Sequence, residues 1–520
     1  MAQDSEELVR EGLSSVTKGT LFLLVSTLLL VGLNFVSRVL VVRSISTSDW
    51  SSYSFGLTLT GVLIAIGSLG LPSAVARSLP YATQDDERRT IVRATLWIGS
   101  ISALVASVLL FLFAGPIGQS LGSPGITLSL RFFPIGLGSG ILSSLIASIF
   151  QGYEDVAPNA LFIQIVNPSL FLVFITVWFV VPPAGITLTD SLVAYAGASA
   201  ITLGLLVVYL YRRLPRHLSP GPLAPAALPR LLRFTAPLFV VGVMASITGS
   251  GDTLILGVFH PSSVGTYTAS LTLTRLIPIG IGAAAYIFLP VASRFVRRGD
   301  TASVAMTYVT VTKWLIIVSL PLFLLFFFLP SGSLGFVYGP GYTGQVQPLQ
   351  ITVVGAFATT VLGPAANAQV AFGQTRLLAT NAVATGCIDV VVAFALVPTY
   401  GFVGAAIAWA VANATYAALC LVQLRVLTGV HPFHRHFVTP FIVTAVPVGL
   451  VLGLLHPHVP LWVLPALGIG IALLFVVAVL ATRSIDEGDR LLLEAVERLF
   501  GRPLPFFRRL GRWALRTQKP

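Results

Sequence analysis

Long apolar runs recur along this chain, and they constrain its fold more than any other feature. Examples are residues 21–42, with Arg38 as the one charged residue, and residues 467–482, with none. A helix of roughly 20 apolar residues crosses the hydrocarbon core of a bilayer, which is about 30 Å thick. Charged residues make up only 10% of the chain, against roughly 25% in soluble domains. The runs therefore predict an integral membrane protein.

The same runs predict helices rather than the strands of a barrel. In lipid every backbone polar group must be hydrogen-bonded within the protein, which leaves only helices and closed barrels. Barrel strands alternate apolar and polar residues over roughly ten residues, and these runs do not alternate. We predict an all-α integral membrane protein with about 14 transmembrane helices. They are placed at 15–42, 52–78, 91–114, 125–150, 158–181, 190–211, 231–258, 264–292, 302–329, 345–372, 376–397, 402–424, 437–455 and 459–482.

Basic residues lie on one side of these spans. The gaps 115–125, 181–189, 259–265 and 331–344 contain no Lys or Arg, and Arg43 is the clear exception on that side. By the positive-inside rule, this asymmetry predicts a multi-pass plasma-membrane protein with both termini in the cytoplasm. The inward gaps hold Arg88, Arg89, Arg93, Arg212, Arg213, Arg216, Arg230, Arg233, Arg294, Arg297 and Arg298.

An internal repeat divides the spans into two groups of six. Trp-Ser-Ser-Tyr-Ser-Phe-Gly-Leu-Thr-Leu-Thr at 50–60 matches Val-Gly-Thr-Tyr-Thr-Ala-Ser-Leu-Thr-Leu-Thr at 264–274, each opening the second helix of its group. Because six is even, both copies enter the membrane in the same orientation, which predicts two parallel bundles around a central cavity. The predicted divisions are a cytoplasmic segment 1–14, an N-lobe 15–211, a basic Pro-rich connector 212–230, a C-lobe 231–424, two further helices 437–482 and a tail 483–520.

The net charge of +12 does not indicate a nucleic-acid partner. The basic residues fall in short gaps between spans rather than on one soluble face. The tail combines apolar residues at helical spacing with five basic residues between 508 and 519. It is predicted to lie on anionic headgroups as an amphipathic helix, with a plain solvated tail as the alternative. No His or Cys spacing resembles a metal site, so neither a metal nor a cofactor is expected.

Four segments resemble the polysaccharide and oligosaccharide flippases of the multidrug/oligosaccharidyl-lipid/polysaccharide exporter (MOP) superfamily. Each is a short motif, and their order and spacing match that family up to the tail. One departure is Trp50-Ser-Ser-Tyr53, where many relatives carry a glycine beside the aromatic residue. The four segments are 38–53, 251–257 with 264–267, 373–376, and 397–407.

The resemblance implies a V-shaped pair of six-helix bundles and a flippase function. The implied substrate is a polyprenyl-(di)phosphate-linked oligosaccharide or polysaccharide unit, moved from the cytoplasmic to the outer leaflet by alternating access. Such transport serves cell-surface glycan or glycoprotein biosynthesis. Glycan-assembly enzymes are the protein partners that this function implies, and a monomer is expected as the transport unit.

Charged residues inside predicted spans are expensive, so each is expected to face a cavity or a partner. Arg38 and Arg275 are the candidates for binding the substrate phosphate, because guanidinium groups bind phosphate oxygens bidentately and stay charged. The alternative for Arg38 is pairing with a carboxylate or reaching the outer headgroups. Asp252 and Asp389 are predicted either to form charge pairs, Asp252 with Arg275, or to couple transport to Na⁺ or H⁺.

Other polar residues within spans have two readings each. Asn34, Asn367 and Gln369 are able to hydrogen-bond sugar hydroxyls, but hydrogen bonds between helices are the more frequent use of such residues. Arg131 and Lys313 lie at ambiguous depths, from which their side chains reach headgroups by snorkelling. This interpretation is favoured for Arg131.

Two other functions are compatible with the membrane class. An exporter of drugs or cations from the same superfamily would favour acidic cavity walls, whereas the intramembrane charges here include arginines. A polytopic glycosyltransferase or ligase would need catalytic carboxylates at the membrane surface, and no long outward gap carries them. We therefore expect a transporter and not an enzyme. The sequence does not distinguish Na⁺, H⁺ or the membrane potential as the driving force.

Overall fold

The computed structural model describes residues 25–82, 84–180, 185–215, 227–433, 435–455, 460–484 and 489. The predicted segment 1–14, most of the connector and nearly all of the tail lie outside these residues. Within them the chain forms helices and no β-strand. The predicted all-α fold class is confirmed.

Eighteen helices follow one another in the described residues, numbered here in chain order. In the first half they are α1 Val25–Ser44, α2 Thr47–Gly67, α3 Leu71–Ser78, α4 Asp85–Ser120, α5 Pro124–Gly152, α6 Asn159–Val180, α7 Leu188–Arg213 and α8 Ala227–Phe259. In the second they are α9 Val264–Thr274, α10 Ile279–Arg297, α11 Thr301–Phe328, α12 Pro330–Tyr338, α13 Gln347–Val361, α14 Ala365–Ala371, α15 Thr375–Tyr400, α16 Phe402–Thr428, α17 Arg435–Leu455 and α18 Leu464–Ala481.

Among the described residues, 12 helices are long and apolar enough to cross a membrane, and Val438–Leu454 is a shorter apolar helix. The predicted span 264–292 is wrong as a continuous helix, because the chain breaks between α9 and α10. Pro278 lies at this break; it has no N–H to donate and disfavours helical geometry in the residue before it. The number of fourteen spans stays a prediction.

Two further predicted spans are also interrupted. The span 52–78 breaks between α2 and α3, where Leu69 and Gly70 adopt φ of 53° and 70°. The span 345–372 breaks between α13 and α14, where Gly363 has φ of 73° and precedes Pro364. These left-handed conformations end helices, and glycine adopts them without the steric cost of a side chain.

Contacts group the described residues into two compact units. The first runs to Thr268 and includes Ala393–Phe402; the second contains Ala269–Val392 and the chain from Val403 onward. The helix α8, which begins the predicted C-lobe, groups with the first unit. The predicted lobe boundaries follow from the sequence repeat and not from contacts between helices, and they stay a prediction.

The helix α5 forms the centre of the first unit, where it packs against α2, α4 and α7. Its buried side chains include Phe133, Leu137 and Ile141, each with no exposed surface. The helix α8 packs against α2 and α3 in the same unit. At Gly70 the backbones come so close that a Cβ would lie 2.6 Å from Phe239 N.

The second unit has its own apolar core, which brings α10, α11, α14 and α16 together. Phe288, Val304, Tyr308 and Leu424 are fully buried there. The aromatic rings of Phe288 and Tyr308 meet edge-on with centroids 6.1 Å apart. Each unit therefore has a packed interior of apolar side chains.

Candidate functional site

The two copies of the internal repeat contact each other where α2 and α9 begin. The indole Nε1 of Trp50 donates to Gly265 O at 3.0 Å, and Gly265 N donates to Ser51 Oγ at 2.9 Å. The Ser51 hydroxyl also lies 2.9 Å from Ser262 O. In the alignment of the two copies, Ser51 and Gly265 occupy equivalent positions. We call this contact, formed by Trp50, Ser51 and Gly265, the repeat junction.

Glycine is required at the repeat junction because the two helices approach so closely. A Cβ on Gly265 would lie 2.6 Å from Ser51 Oγ, 2.9 Å from Thr47 O and 3.0 Å from Ser51 N. Two of these three atoms belong to the backbone, which cannot rotate away as a side chain does. Any side chain at position 265 therefore pushes α9 away from α2.

A row of aromatic rings connects the repeat junction to the core of the first unit. Trp50 stacks on Tyr53 with ring centroids 5.6 Å apart, and Tyr53 contacts Phe133 at 5.6 Å. Phe133 in turn contacts Tyr195 at 5.0 Å. Trp50 is only 2% exposed, so the junction is held by buried apolar surface as well as by hydrogen bonds.

Asp252 on α8 accepts a hydrogen bond from the hydroxyl of Tyr267 on α9. Neither residue has any exposed surface. A carboxylate within a membrane helix is costly, and a donated hydrogen bond lowers that cost. The sequence predicts either a charge pair with Arg275 or cation coupling for Asp252, and both stay predictions; the hydrogen bond from Tyr267 was not predicted. The signal for Tyr267 was its match to Tyr53 in the repeat.

Arg38 and Asp252 also occupy equivalent positions in the repeat, because they are separated by the same 214 residues as Ser51 and Gly265. Arg38 is half-buried on α1 and lies within electrostatic range of Tyr53. The equivalent tyrosine, Tyr267, donates to Asp252. The two halves thus place an arginine and an aspartate, with opposite charges when ionised, at equivalent positions beside equivalent tyrosines.

Arg275 lies at the break that follows α9, and its side chain is exposed. Its backbone N–H donates to Leu271 O at 3.0 Å, which completes the last turn of the helix. Interrupted membrane helices often form the substrate and ion sites of transporters. Arg275 belongs to the second unit, whereas Arg38 belongs to the first.

Two of the three candidate amide side chains, Asn34 and Gln369, form hydrogen bonds within the protein. Asn34 Nδ2 donates to Leu30 O at 2.8 Å, within its own helix. Gln369 is fully buried, and its Nε2 donates to Cys420 O at 3.1 Å and to Gln423 Oε1 at 3.0 Å. The two Gln369 bonds join α14 to α16, which is the alternative use given above for such residues, whereas the Asn34 bond stays within α1. Asn367 is half-buried on α14.

Lys313 is 1% exposed on α11, so it does not snorkel to headgroups. Its Nζ donates to Asp489 Oδ2 at 2.6 Å and to Ser484 O at 2.8 Å. Trp314 Nε1 donates to the other carboxylate oxygen of Asp489 at 2.6 Å. Snorkelling was one interpretation given above for Lys313, and it does not apply because the carboxylate of Asp489, from beyond the last span, neutralises the ammonium group.

The remaining charged candidates differ in exposure. Asp389 on α15 is fully buried, whereas Arg131 on α5 is exposed, and snorkelling stays a prediction for it. Within the described residues, no group of three or more His, Cys, Asp or Glu side chains is arranged to hold a metal ion.

A polar contact between α1 and α6 was also missed by the sequence reasoning. Gln164 Oε1 accepts from Ser26 Oγ at 2.9 Å and from Thr27 Oγ1 at 3.2 Å. Gln164 lies in a π-helical turn, Asn159–Val166. Such turns occur often at functional sites, and a glutamine inside an apolar run was the available signal.

A family model described as polysaccharide biosynthesis protein matches residues 16–296 of this chain. The succinoglycan biosynthesis transport protein ExoT of Rhizobium meliloti (strain 1021) is 29% identical over 128 residues. That alignment covers 24% of this chain and 25% of the ExoT protein. The curated relative is therefore matched over about a quarter of its length.

Three solved structures share the fold. The lipid II flippase MurJ, in an inward closed conformation, has a TM-score of 0.68 and 13% identity, covering 87% of this chain and 97% of that one. An inward-facing multidrug resistance MATE transporter of the MOP superfamily has 0.59 and 15%, covering 76% and 94%. A MOP superfamily transporter from Pyrococcus furiosus has 0.52 and 14%, covering 80% and 96%. At these identities the likeness establishes the fold alone.

Proposed function

Because this chain belongs to the polysaccharide biosynthesis protein family, we propose that it is a flippase for a lipid-linked saccharide. It carries a polyprenyl-(di)phosphate-linked oligosaccharide or polysaccharide unit from the cytoplasmic to the outer leaflet of the plasma membrane. The single observation that carries this proposal is the family match, which covers residues 16–296 and thus both copies of the repeat. The flippase and transporter names of the relatives support transport without chemistry on the substrate.

The phosphate of the substrate is the group that needs protein help to cross hydrocarbon. We propose that Arg38 and Arg275 each bind it during transport. A guanidinium group offers parallel donors to two phosphate oxygens and keeps its charge at every relevant pH. The exposure of Arg275 at a helix break supports this role, since the side chain is accessible without unfolding of the helix.

Alternating access requires a contact that forms and breaks, and we propose the repeat junction for this role. With both termini in the cytoplasm, α2 and α9 begin at the outer face of the membrane. The hydrogen bonds among Trp50, Ser51 and Gly265 then close the outer exit. Their separation releases the substrate outward. Asp252 and Asp389 are the groups that we propose for tests of Na⁺ or H⁺ coupling.

Reconstitution tests the proposed function directly. Purified protein in liposomes is given a fluorescent polyprenyl-diphosphate oligosaccharide, and its arrival in the opposite leaflet is measured with a membrane-impermeant quencher. Wild-type protein accelerates the transfer. Loss of a charged hydrogen bond, as in Arg38→Ala or Arg275→Ala, lowers the rate at least about tenfold. The control Arg297→Ala, an exposed residue in the last turn of α10, keeps the wild-type rate.

The possible outcomes test the flippase function and the phosphate-binding role of the two arginines independently. If wild-type protein moves no lipid-linked saccharide of any tested glycan, the flippase proposal is refuted. If wild type is active and both arginine variants keep its rate, the phosphate role of Arg38 and Arg275 is refuted and the function stands.

The second candidate function is export of cationic drugs, which the likeness to a multidrug transporter of the same fold favours. A cation exporter would not need Arg275 exposed at a helix break, since an arginine repels cationic substrates. Efflux of cationic dyes from vesicles distinguishes the two functions. A saccharide flippase leaves the dye distribution unchanged, and an exporter depletes the dye.

A further inference from the structure

An open groove runs along the surface of the first unit between α4 and α5, with a volume of about 600 Å³. The α4 side contributes Ser100, Leu104, Ser107, Phe111 and Leu112, which share one helix face because they are spaced by three or four residues or adjacent. The α5 side contributes residues between 131 and 142. The groove is separate from the repeat junction and from Arg38 and Arg275.

The walls of this groove face lipid. Leu104 is 66% exposed and Leu112 is 62% exposed, and both belong to a helix that is apolar enough to span the membrane. Apolar side chains exposed on such a helix contact acyl chains. The hydroxyl in the floor, Ser107 Oγ, donates to Pro134 O at 2.9 Å. Its hydrogen bond is already made within the protein, so the floor is effectively apolar.

The groove has the length of one leaflet. From Ser100 to Leu112 the helix rises about 18 Å at 1.5 Å per residue. Half of a hydrocarbon core about 30 Å thick is about 15 Å. One extended acyl chain of a phospholipid therefore fills the groove from the headgroup region toward the middle of the bilayer.

Arg131 lies at the headgroup end of the groove. The helices α4 and α5 are antiparallel and joined by residues 121–123, and Arg131 and Leu112 are the lining residues nearest that connection on their helices. Arg131 follows the start of α5 by about 10 Å of helix rise, a distance that its long side chain spans by snorkelling. Among the described residues, its guanidinium has no hydrogen-bond or ion-pair partner.

We propose that this groove is a binding site for one anionic phospholipid of the bilayer. One acyl chain lies along the groove, and the phosphate accepts hydrogen bonds from Arg131. An apolar channel of leaflet length that ends in a charged, accessible guanidinium complements a single-phosphate lipid in both shape and charge. In the orientation proposed above, the lipid comes from the outer leaflet. Binding of this phospholipid does not depend on the proposed flipping of a saccharide.

Native mass spectrometry of the full chain tests the site, with phosphatidylglycerol as the anionic probe and phosphatidylcholine as the zwitterionic one. Wild-type protein retains one phosphatidylglycerol at concentrations where phosphatidylcholine dissociates. Arg131→Gln weakens phosphatidylglycerol binding at least about tenfold, the effect of losing a charged hydrogen bond. The matched control Arg43→Gln removes one charge from the same predicted side and keeps wild-type binding.

A second variant tests the groove without changing charge. Leu104→Trp adds bulk on the lipid-facing wall, where the side chain is already exposed and folding does not depend on it. It weakens phosphatidylglycerol binding by a similar factor and leaves the unfolding temperature unchanged. Folding of both variants is checked by the same thermal scan.

Three results would overturn the proposal. The first is equal retention of phosphatidylglycerol by wild type and by both groove variants. The second is equal binding of phosphatidylcholine, which would remove the role of the anionic headgroup. The third is preferential displacement of phosphatidylglycerol by a polyprenyl phosphate, which would assign the groove to the carrier lipid instead.

Discussion

Replacing Lys313 tests how the chain beyond the last span is held. The ammonium group of Lys313 and the carboxylate of Asp489 lie 2.6 Å apart, with side chains 1% and 4% exposed. Ser484 O and Trp314 Nε1 add one hydrogen bond each. Every polar contact named here joins α11 to the segment after α18. Lys313→Met keeps the length of the side chain and removes its charge.

The expected loss follows from the burial of both charges. Removing one member of a buried pair leaves the other charge uncompensated and costs about 3–5 kcal/mol. The Trp314 hydrogen bond to Asp489 survives and offsets roughly 1.5–3 kcal/mol at most. Undocking of the segment around Asp489 also relieves the cost. We therefore expect a net loss of roughly 1–3 kcal/mol, or release of that segment when release costs less.

Unfolding in detergent and limited proteolysis measure these two outcomes. Lys313→Met and Asp489→Leu each lower the unfolding free energy or expose the chain after Ser484 to protease. The double variant Lys313→Met/Asp489→Leu recovers a large part of the loss, because no charge stays buried. The control Arg297→Met, on an exposed arginine, stays within about 0.5 kcal/mol of wild type.

Two results would contradict the buried ion pair. The first is that both single variants stay within about 0.5 kcal/mol of wild type and keep the wild-type protease pattern. The second is that the losses simply add in the double variant, since an ion pair predicts coupling between the two positions.

Three further predictions follow from the repeat junction and the helix ends. Gly265→Val separates α9 from α2, so it abolishes flipping in the liposome assay and makes Trp50 more accessible to a quencher. The control Gly61→Val, where a Cβ meets open space, keeps the flipping activity. Unchanged flipping in both variants would refute the role of the repeat junction as a gate. Tyr267→Phe removes the donor to the buried carboxylate of α8 and lowers the unfolding free energy by about 1–3 kcal/mol, measured by thermal unfolding; a neutral effect would contradict this contact. Two hydrogen bonds from Ser303 hold the pKa of Asp300 below its usual value, and the bond from the serine side chain has a larger effect than the bond from its backbone N–H. The stabilisation from ionised Asp300 is therefore present above the unfolded-state pKa, near 4, and lost as the pH falls through the lower folded-state pKa; Asp300→Ser, compared with wild type by thermal unfolding, should show a difference at neutral pH that disappears in acid.

The spans were predictable because hydropathy depends on each helix alone. The runs that place α1, α4 and α16 need no knowledge of neighbours, and their predicted positions agree with the helices observed. The break at Arg275 was also encoded locally, since Pro278 follows three residues later. A proline inside a membrane helix is often tolerated, so its presence alone did not determine where the helix would end.

The contacts between helices were not predictable from the same information. Lys313 and Asp489 are 176 residues apart, and no local pattern connects them. Gln369, Asn381 and Gln423 form a network only because three helices turn their polar sides toward one another. The sequence states that these residues are polar, but the rotation of each helix about its axis is determined by packing.

The repeat places Arg38 and Asp252 at equivalent positions, and their opposite charges predict opposite effects on the rate of the proposed flipping. Each copy carries a tyrosine at the equivalent position, Tyr53 or Tyr267, but the residue 15 positions earlier is an arginine in the first copy and an aspartate in the second. An anionic phosphate is attracted by the first half at Arg38 and repelled by the second half when Asp252 is ionised. Arg38→Gln therefore lowers the rate of saccharide flipping, whereas Asp252→Asn leaves it unchanged or raises it. Equal loss in both variants, at equal folded fraction, would contradict this assignment and would indicate that the two residues act as one pair.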